Sequence, residues 1–225
     1  MDVDTIAQLT RPFGELSPEL LQQTSIYIQL LLKWNAKINL TAVRDPRDIV
    51  TRHFGESFFA AQQLLKVQPV HSGLAVHPPS QQVSVIDLGS GAGFPGLPLA
   101  MFAPEAQVTL IESNARKVAF LNEVISALAV KNARVVRQRA EEYPANAELV
   151  TMRAVEMFER VLPVARSLVE EGGRLALMIG AAQAPVAQEL VKAMVWSEAV
   201  VVPGSHSRVL LVGTKTGTSG MKQVI

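Results

Sequence analysis

Between residues 18 and 34, apolar side chains recur at Leu20, Leu21, Tyr27, Ile28, Leu31 and Leu32. That spacing places one apolar stripe along an α-helix. Ser17 supplies an N-cap and Pro18 a first helical residue that needs no amide donor, so the helix is predicted to begin there. A second helical stretch, 53–66, follows the turn at Arg44-Asp45-Pro46. The pattern then dissolves: residues 67–82 carry Pro69, Gly73, Pro78 and Pro79 without periodicity and read as a surface linker. From Val83 onward, strand-like runs at 83–88, 108–111, 133–136, 149–152 and 174–179 alternate with helical runs at 116–128, 157–169 and 185–195. Alternation of this kind predicts a parallel sheet covered on both faces. Residues 208–212 form a last strand, and the Pro203-Gly204 turn before it points to antiparallel pairing at or near an edge. The chain thus divides into an N-terminal helical extension (1–66), a linker (67–82), an α/β domain (83–213) and a polar, flexible tail (214–225).

With 225 residues, 48% of them apolar, the chain can bury a sizeable core within one or two domains. Its 21 Lys and Arg against 20 Asp and Glu leave a net charge of +1, so any preference for an anionic partner must come from local clustering. No apolar run approaches the roughly 18 residues needed to cross a bilayer. Met1-Asp2-Val3-Asp4 is the opposite of the basic start of a secretion signal. A soluble, cytoplasmic protein with no membrane partner is expected. The chain has no cysteine, which excludes disulfides, thiolate metal sites and a cysteine nucleophile. Of its four histidines, His53, His71, His77 and His206, two fall in the linker, so no metal site is expected.

A glycine-rich turn, Gly89-Ser90-Gly91-Ala92-Gly93-Phe94-Pro95-Gly96, directly follows the first strand of the sheet. Ligands of open α/β sheets bind at the carboxyl ends of the strands, where glycines let backbone approach them closely. Gly91-x-Gly93-x-x-Gly96 formally matches a dinucleotide fingerprint. That reading leaves an acid, Asp87, inside the apolar strand and puts Pro95 and Pro98 where the pyrophosphate-binding helix should start; the helix is placed instead near Leu97. Reading the motif from Asp87 instead, the carboxylate suits a cationic group such as the ammonium of an amino acid. Glu112, at the end of the next strand, is placed to accept both hydroxyls of a ribose. A nucleoside with an amino-acid tail, S-adenosylmethionine, satisfies both acids. The blander alternatives are that Asp87 caps the glycine turn and Glu112 caps the following helix.

If the reaction is methyl transfer, the acceptor must fit the residues at hand. Methylation of a pyrimidine carbon usually needs a cysteine, which is absent, and exocyclic amines are usually served by an Asn/Asp-Pro-Pro-aromatic motif where this chain has Thr151-Met152-Arg153-Ala154. A ring nitrogen such as guanine N7 carries its own lone pair at neutral pH and needs no strong base. Its methylation leaves the base positively charged, so a polar or carboxylate-bearing surround is expected. Residues 114–139 hold Arg116, Lys117, Lys131, Arg134, Arg137 and Arg139 against Glu123 alone, and residues 33–52 hold Lys33, Lys37, Arg44, Arg47 and Arg52 against Asp45 and Asp48. These segments form either a phosphate-binding face or ordinary solvated surface.

Trp34-Asn35-x-x-x-Asn39-Leu40-Thr41, Arg44-Asp45-Pro46, His53-x-x-Glu56-Ser57, the Asp87–Gly96 turn, Arg139-Ala140-Glu141 and Arg153-Ala154 occur in this order. Together they resemble the bacterial ribosomal RNA small subunit methyltransferase G family, also called glucose-inhibited division protein B, over residues 20–212. The resemblance implies a doubly wound, Rossmann-like class I S-adenosylmethionine-dependent methyltransferase sheet with an N-terminal helical extension. It also implies methylation of N7 of guanine 527, in the 530 loop of 16S rRNA, with the rRNA or the small subunit as partner; a monomer is expected. By position, Asp87, Gly89, Gly91 and Phe94 would line the cofactor's methionine side, Glu112 would hold the ribose, and Ala140 and Glu141 the adenine edge. Arg153 would stand near the methionine carboxylate or the incoming base, as the residue that positions the reactants; a buried structural ion pair, perhaps with Asp87, is its other reading. Arg44, Arg47, Arg116, Lys117, Arg137 and Arg139 would contact RNA. His53 and Asn39 are expected to tie the extension to the sheet. Two positions depart from the family: Ile179 stands where a lysine is common, removing one expected contact, and Glu56 replaces an aspartate. A cofactor-binding ribosome-associated protein without turnover, a methyltransferase for a small molecule or protein, and a nicotinamide dehydrogenase are the competing readings.

Overall fold

The computed structural model describes residues 1–65, 82–154 and 157–216. Its N-terminal extension opens with α1 (Val3–Thr10), capped by the Asp2 carboxylate, which accepts the Thr5 amide at 2.8 Å. Helix α2 (Pro18–Asn35) starts where its cap predicts, the Ser17 hydroxyl accepting the Leu20 amide at 3.2 Å. Helix α3 (Pro46–Ile49), a π-helical turn (Val50–Gly55) and α4 (Glu56–Leu65) then run end to end. The sequence reading began this segment at residue 53. The wider π turn breaks the 3.6-residue period there, as such turns often do at functional positions, and it carries Arg52 and His53.

The α/β part comprises β1 (Ser84–Leu88), α5 (Gly96–Phe102), β2 (Gln107–Ile111), α6 (Ala115–Ala127), β3 (Ala133–Val136), β4 (Ala147–Arg153), α7 (Phe158–Ser167), β5 (Val169–Gly180), α8 (Ala184–Leu190), β6 (Met194–Trp196), β7 (Val200–Val201) and β8 (Arg208–Lys215). The strands lie in the order β3-β2-β1-β4-β5-β8-β6, with β7 on β8. Strands β1 to β5 are mutually parallel, and β8 runs antiparallel to β5, β6 and β7. This is the predicted doubly wound α/β sheet.

Period-two alternation along the central strands feeds two cores. Val85, Val108, Leu110, Leu149 and Ala176 pack on one face, with Tyr27, Phe54, Phe58 and Phe120. Ile86, Ile111, Val150, Leu175 and Leu177 pack on the other, under α7 and α8. The extension thus covers one face of the sheet together with α5 and α6. Polar bonds fasten it: Tyr27 Oη donates to Ala92 O at 2.6 Å, Trp34 Nε1 to Glu123 Oε2 at 2.8 Å, and Arg174 Nη2 to Leu64 O at 3.0 Å. Asn35, buried at the end of α2, accepts the amides of Leu40 and Thr41 and donates to Thr41 O, holding the chain as it leaves the helix.

Several boundaries differ from the sequence reading. Helix α1 was not foreseen. Strand β5 starts at Val169, which the reading placed in the preceding helix, because Glu170-Glu171-Gly172-Gly173 lacks the alternation of a half-buried strand. The helix expected over 185–195 stops at Leu190, and Met194–Trp196 becomes an edge strand. Strand β8 runs to Lys215, two residues into the stretch read as tail, where Lys215 Nζ reaches Val169 O at 2.7 Å and Glu171 Oε1 at 3.2 Å. The linker up to residue 81 and the tail beyond 216 lie outside the described residues.

Replacing Tyr27 by Phe leaves the buried carbonyl of Ala92 without its partner. Urea denaturation of Tyr27→Phe is expected to show a loss of about 1–3 kcal/mol.

A candidate active site at the switch point of the sheet

The strand order reverses between β1 and β4, so the crevice at their carboxyl ends is where an open α/β sheet binds ligands. The turn leaving β1 lies there. Gly89, Gly91 and Gly93 have φ of 69°, 57° and 88°, the left-handed region that penalises a side chain. Their surroundings differ. A Cβ on Gly93 would strike Tyr27 Oη and Leu97, and one on Gly96 would strike Leu110 and Asp87. A Cβ on Gly91 would find only Gly89 O, at 3.7 Å. Of Gly91, Gly93 and Gly96, it is Gly91 that combines a left-handed backbone with free space beside it, as expected where backbone approaches a ligand.

Glu112, 7% exposed just past the end of β2, accepts the Gly91 amide at 3.0 Å on Oε2 and the Asn114 amide at 2.8 Å on Oε1. It therefore braces the turn and the entry to α6, whose N-cap is Asn114. Each carboxylate oxygen has a second acceptor direction left for a ligand hydroxyl.

Asp87, 1% exposed, accepts the Thr151 hydroxyl at 2.8 Å on Oδ1. Its Oδ2 is buried without a hydrogen-bond partner. Burial raises its pKa from 3.8 to about 6, against the weaker opposing effects of the Thr151 hydroxyl, Ser90 and the Gly96 amide. The side chain lies beneath the glycine turn, close to Ser90 and the Gly96 amide, with Oδ2 short of a well-formed hydrogen bond.

Phe94 was expected to line the cofactor. Its ring is instead 8% exposed in an aromatic stack, 5.4 Å from Tyr27, 4.9 Å from His53 and edge-on to Phe54 at 5.0 Å. It locks the glycine turn to the extension. His53 belongs to the same lock, with Nε2 2.8 Å from the Thr41 hydroxyl. Burial, and then Arg153 and Arg52, lower its pKa to about 3, so it stays neutral near pH 7. His53 thus ties extension to sheet as expected. Asn39 does not: it is exposed, and the buried asparagine of the motif, Asn35, bonds only within the extension, to Leu40 and Thr41.

Arg153, at the end of β4, has its ion pair with Glu56 (Nη2 to Oε2, 3.1 Å) and not with Asp87. The same nitrogen donates to Arg52 O and lies 3.3 Å from His53 Nδ1. Arg208, the first residue of β8, meets the other oxygen of Glu56 at 2.6 Å. The next residue after Arg153, Ala154, has a φ of 47°, a conformation costly for alanine. Beside this cluster lies a hollow of about 260 Å³ lined by Arg52, His53, Arg153, Ile179, Gln183 and Arg208 among others. Ile179, 5% exposed, presents no polar atom there. Arg208 was not anticipated, and Glu56 was noted only as a family variant. The signal for Glu56 was available: an acid between Phe54 and Phe58 in an apolar helix must be buried and hence paired.

The two basic segments meet in space. Arg44, Arg116 and Lys117 line one cleft of about 430 Å³ with Lys37, Asn39 and Asn114. Arg47, Arg137 and Arg139 are exposed outside it. Ala140 and Glu141 form a short 3-10 turn (Ala140–Glu142) after β3, Ala140 half-buried and Glu141 exposed, at the same end of the sheet as Glu112. Among the described residues no group of three or more acids and histidines could hold a metal, and no helix is long and apolar enough to cross a membrane.

A parallel sheet with one antiparallel strand inserted near its edge, and a glycine turn with an acid on the neighbouring strand, define the Rossmann-like methyltransferase fold. Magnesium protoporphyrin IX methyltransferase from Synechocystis PCC 6803, solved with bound S-adenosylmethionine, superposes with a TM-score of 0.60 at 15% identity over 86% of this chain and 97% of that one. Ribosomal protein L11 methylase from Lactobacillus delbrueckii superposes with a TM-score of 0.57 at 10% identity over 73% and 80%. In sequence, the profile of the rRNA small subunit methyltransferase G family matches residues 20–208. Ribosomal RNA small subunit methyltransferase G of Xanthomonas campestris is 41% identical over 156 residues, 68% of this chain and 66% of that protein. Its Stenotrophomonas maltophilia counterpart is 38% identical over 167 residues, 73% and 69%. This chain belongs to the rRNA small subunit methyltransferase G family, and the match spans about two thirds of those relatives' length.

Because the folded pKa of Asp87 lies above its usual value of 3.8, at about 6, its ionisation costs stability. That cost is absent below pH 4, grows as pH rises and is complete above pH 6. Urea unfolding is expected to show Asp87→Asn gaining on the wild type by up to about 3 kcal/mol across that window, with a constant difference above it.

Proposed function

We propose that the protein transfers a methyl group from S-adenosylmethionine to N7 of guanine 527, in the 530 loop of 16S rRNA. It acts in the cytoplasm, as a monomer, on the rRNA or the small subunit. The observation that carries the cofactor assignment is the open side of Gly91, with Glu112 on its amide and the unpartnered oxygen of Asp87 beneath the turn. The donor set fits: two carboxylates suit a ribose and an ammonium, and neither suits a pyrophosphate. The cofactor, when bound, supplies an activated methyl on a sulfonium. Glu112 orients the ribose, Asp87 the ammonium, and the Ala140–Glu141 turn the adenine edge.

Among the described residues nothing near the crevice acts as a strong base, and the proposed acceptor needs none. His53 is neutral but stacked on Phe94 and bonded to Thr41, and Asp87 is buried below the turn. What remains for the chain to supply is orientation and exclusion of water, worth about 7–11 kcal/mol in well-aligned reactions. N7 faces a groove too narrow for side chains in A-form RNA, so the target must be unstacked or in a loop. The basic cleft uniting Arg44, Arg116 and Lys117 supports an RNA-binding face that includes both extension and sheet domain. Ile179, apolar where the family resemblance leads to the expectation of a lysine, favours as second reading a cofactor-binding protein without turnover.

Small subunits lacking the modification are expected to take up radiolabelled methyl, with N7-methylguanine cleavage mapping it to position 527. No label at saturating cofactor ends the enzyme reading and leaves the second. By calorimetry, Glu112→Ala is expected to weaken S-adenosylmethionine binding by about tenfold to several hundredfold, as one or two charge-assisted bonds are lost. Arg137→Ala is expected to leave that affinity within twofold and lower RNA affinity and its salt slope. Wild-type affinity for the cofactor is expected to fall about tenfold per pH unit below pH 6, as Asp87 takes up its proton and loses its attraction for the ammonium.

A further inference from the structure

Among the described residues, the hollow at the ends of β4, β5 and β8 has more cationic than anionic lining. Glu56 offers one carboxylate to two guanidiniums, Arg153 and Arg208, and Arg52 lines the same space. Nη1 of Arg153 and Nε of Arg208 are buried with no hydrogen-bond partner. Buried donors left unpaired are costly, more so when charged. The Arg153 side chain is 10% exposed and that of Arg208 32%, and both residues line the hollow.

An acceptor guanine suits this hollow badly. Methylation at N7 makes the base cationic, and guanidiniums around it would oppose the charge as it develops. The usual arginine contact to guanine, bidentate on O6 and N7, would also occupy the lone pair that has to attack. An oxyanion suits it well, since a guanidinium fork matches two oxygens of a phosphate.

We propose that Arg153 and Arg208, with Arg52 at the rim, hold a phosphate of the RNA strand next to the target guanosine, and that Glu56 is the fixed counter-charge that orients both guanidiniums. This rests on the rRNA methyltransferase reading above. It adds Arg208 as a substrate-positioning residue and seats the base outside the arginine hollow, toward Gly91. The carboxylate of the cofactor's methionine is the other oxyanion of matching chemistry, and the test separates the two.

The full-length protein is assayed as wild type, Arg208→Ala and Arg208→Lys, with thermal melting to confirm that each variant folds. The substrate is a 530-loop RNA carrying either its natural linkages or one uncharged methylphosphonate beside the target guanosine. For Arg208→Ala the expectation is a tenfold or greater rise in KM for RNA, kcat within threefold, and a salt slope shallower by about 0.7–0.9, the value of one phosphate contact. The Kd for S-adenosylmethionine should stay within twofold. Arg208→Lys should recover most of the salt slope but not the full KM. On methylphosphonate RNA the wild type should fall to the level of Arg208→Ala, with no further loss in the variant. A rise in cofactor Kd with RNA KM unchanged would overturn the assignment in favour of the methionine carboxylate. Unchanged values for both would make the arginine pair structural only. An unmethylated RNA with the wild type would instead sink the functional reading itself, and this inference with it.

Discussion

One buried carboxylate holds the architecture together at its functional end. Glu56 is 2% exposed, and a lone ionised acid at such a place would cost several kcal/mol. Burial accordingly raises its pKa, while Arg153, Arg208 and Arg52 pull it down. The offset requires that the first residue of α4, the last of β4 and the first of β8 converge on one point. The N-terminal extension is thereby fixed against the carboxyl edge of the sheet, where the crevice lies. The aromatic stack of Tyr27, His53, Phe54 and Phe94 does the same for the glycine turn.

The sequence made the sheet legible because its strands alternate cleanly between two buried faces. Four of the five parallel strands were placed to within about two residues at each end. Where charge or glycine interrupts the alternation, as in the Glu170–Gly173 stretch, the strand was misread as helix and loop. Short edge strands such as Val200–Val201 carry too few residues to show a period. The acids at the crevice were legible because an acid inside an apolar strand end demands a reason, and both Asp87 and Glu112 lie where the spacing put them.

What sequence could not supply was pairing. Nothing in local pattern says that Arg153 meets Glu56 rather than Asp87, or that Arg208, far along the chain, completes the pair. Motif membership also misled in one respect. Asn39 and Phe94 belong to recognisable motifs, yet the structure gives the bonding role to Asn35 and turns the Phe94 ring into the core. A motif marks where the chain must take a particular path, and the residue that enforces the path need not be the one that meets a ligand.

Strand β8 is hydrogen-bonded on both sides, to β5 on one and to β6 and β7 on the other, although it comes last in chain order among the described strands. Synthesis proceeds from the N-terminus, and the other described strands emerge before it. Until β8 threads in antiparallel, β5 has an open edge and Glu56 lacks one of its two cations. Completion of the arginine hollow is therefore tied to completion of the nascent sheet, so a chain still short of its final strand has the glycine turn and both crevice acids but not the full oxyanion grip.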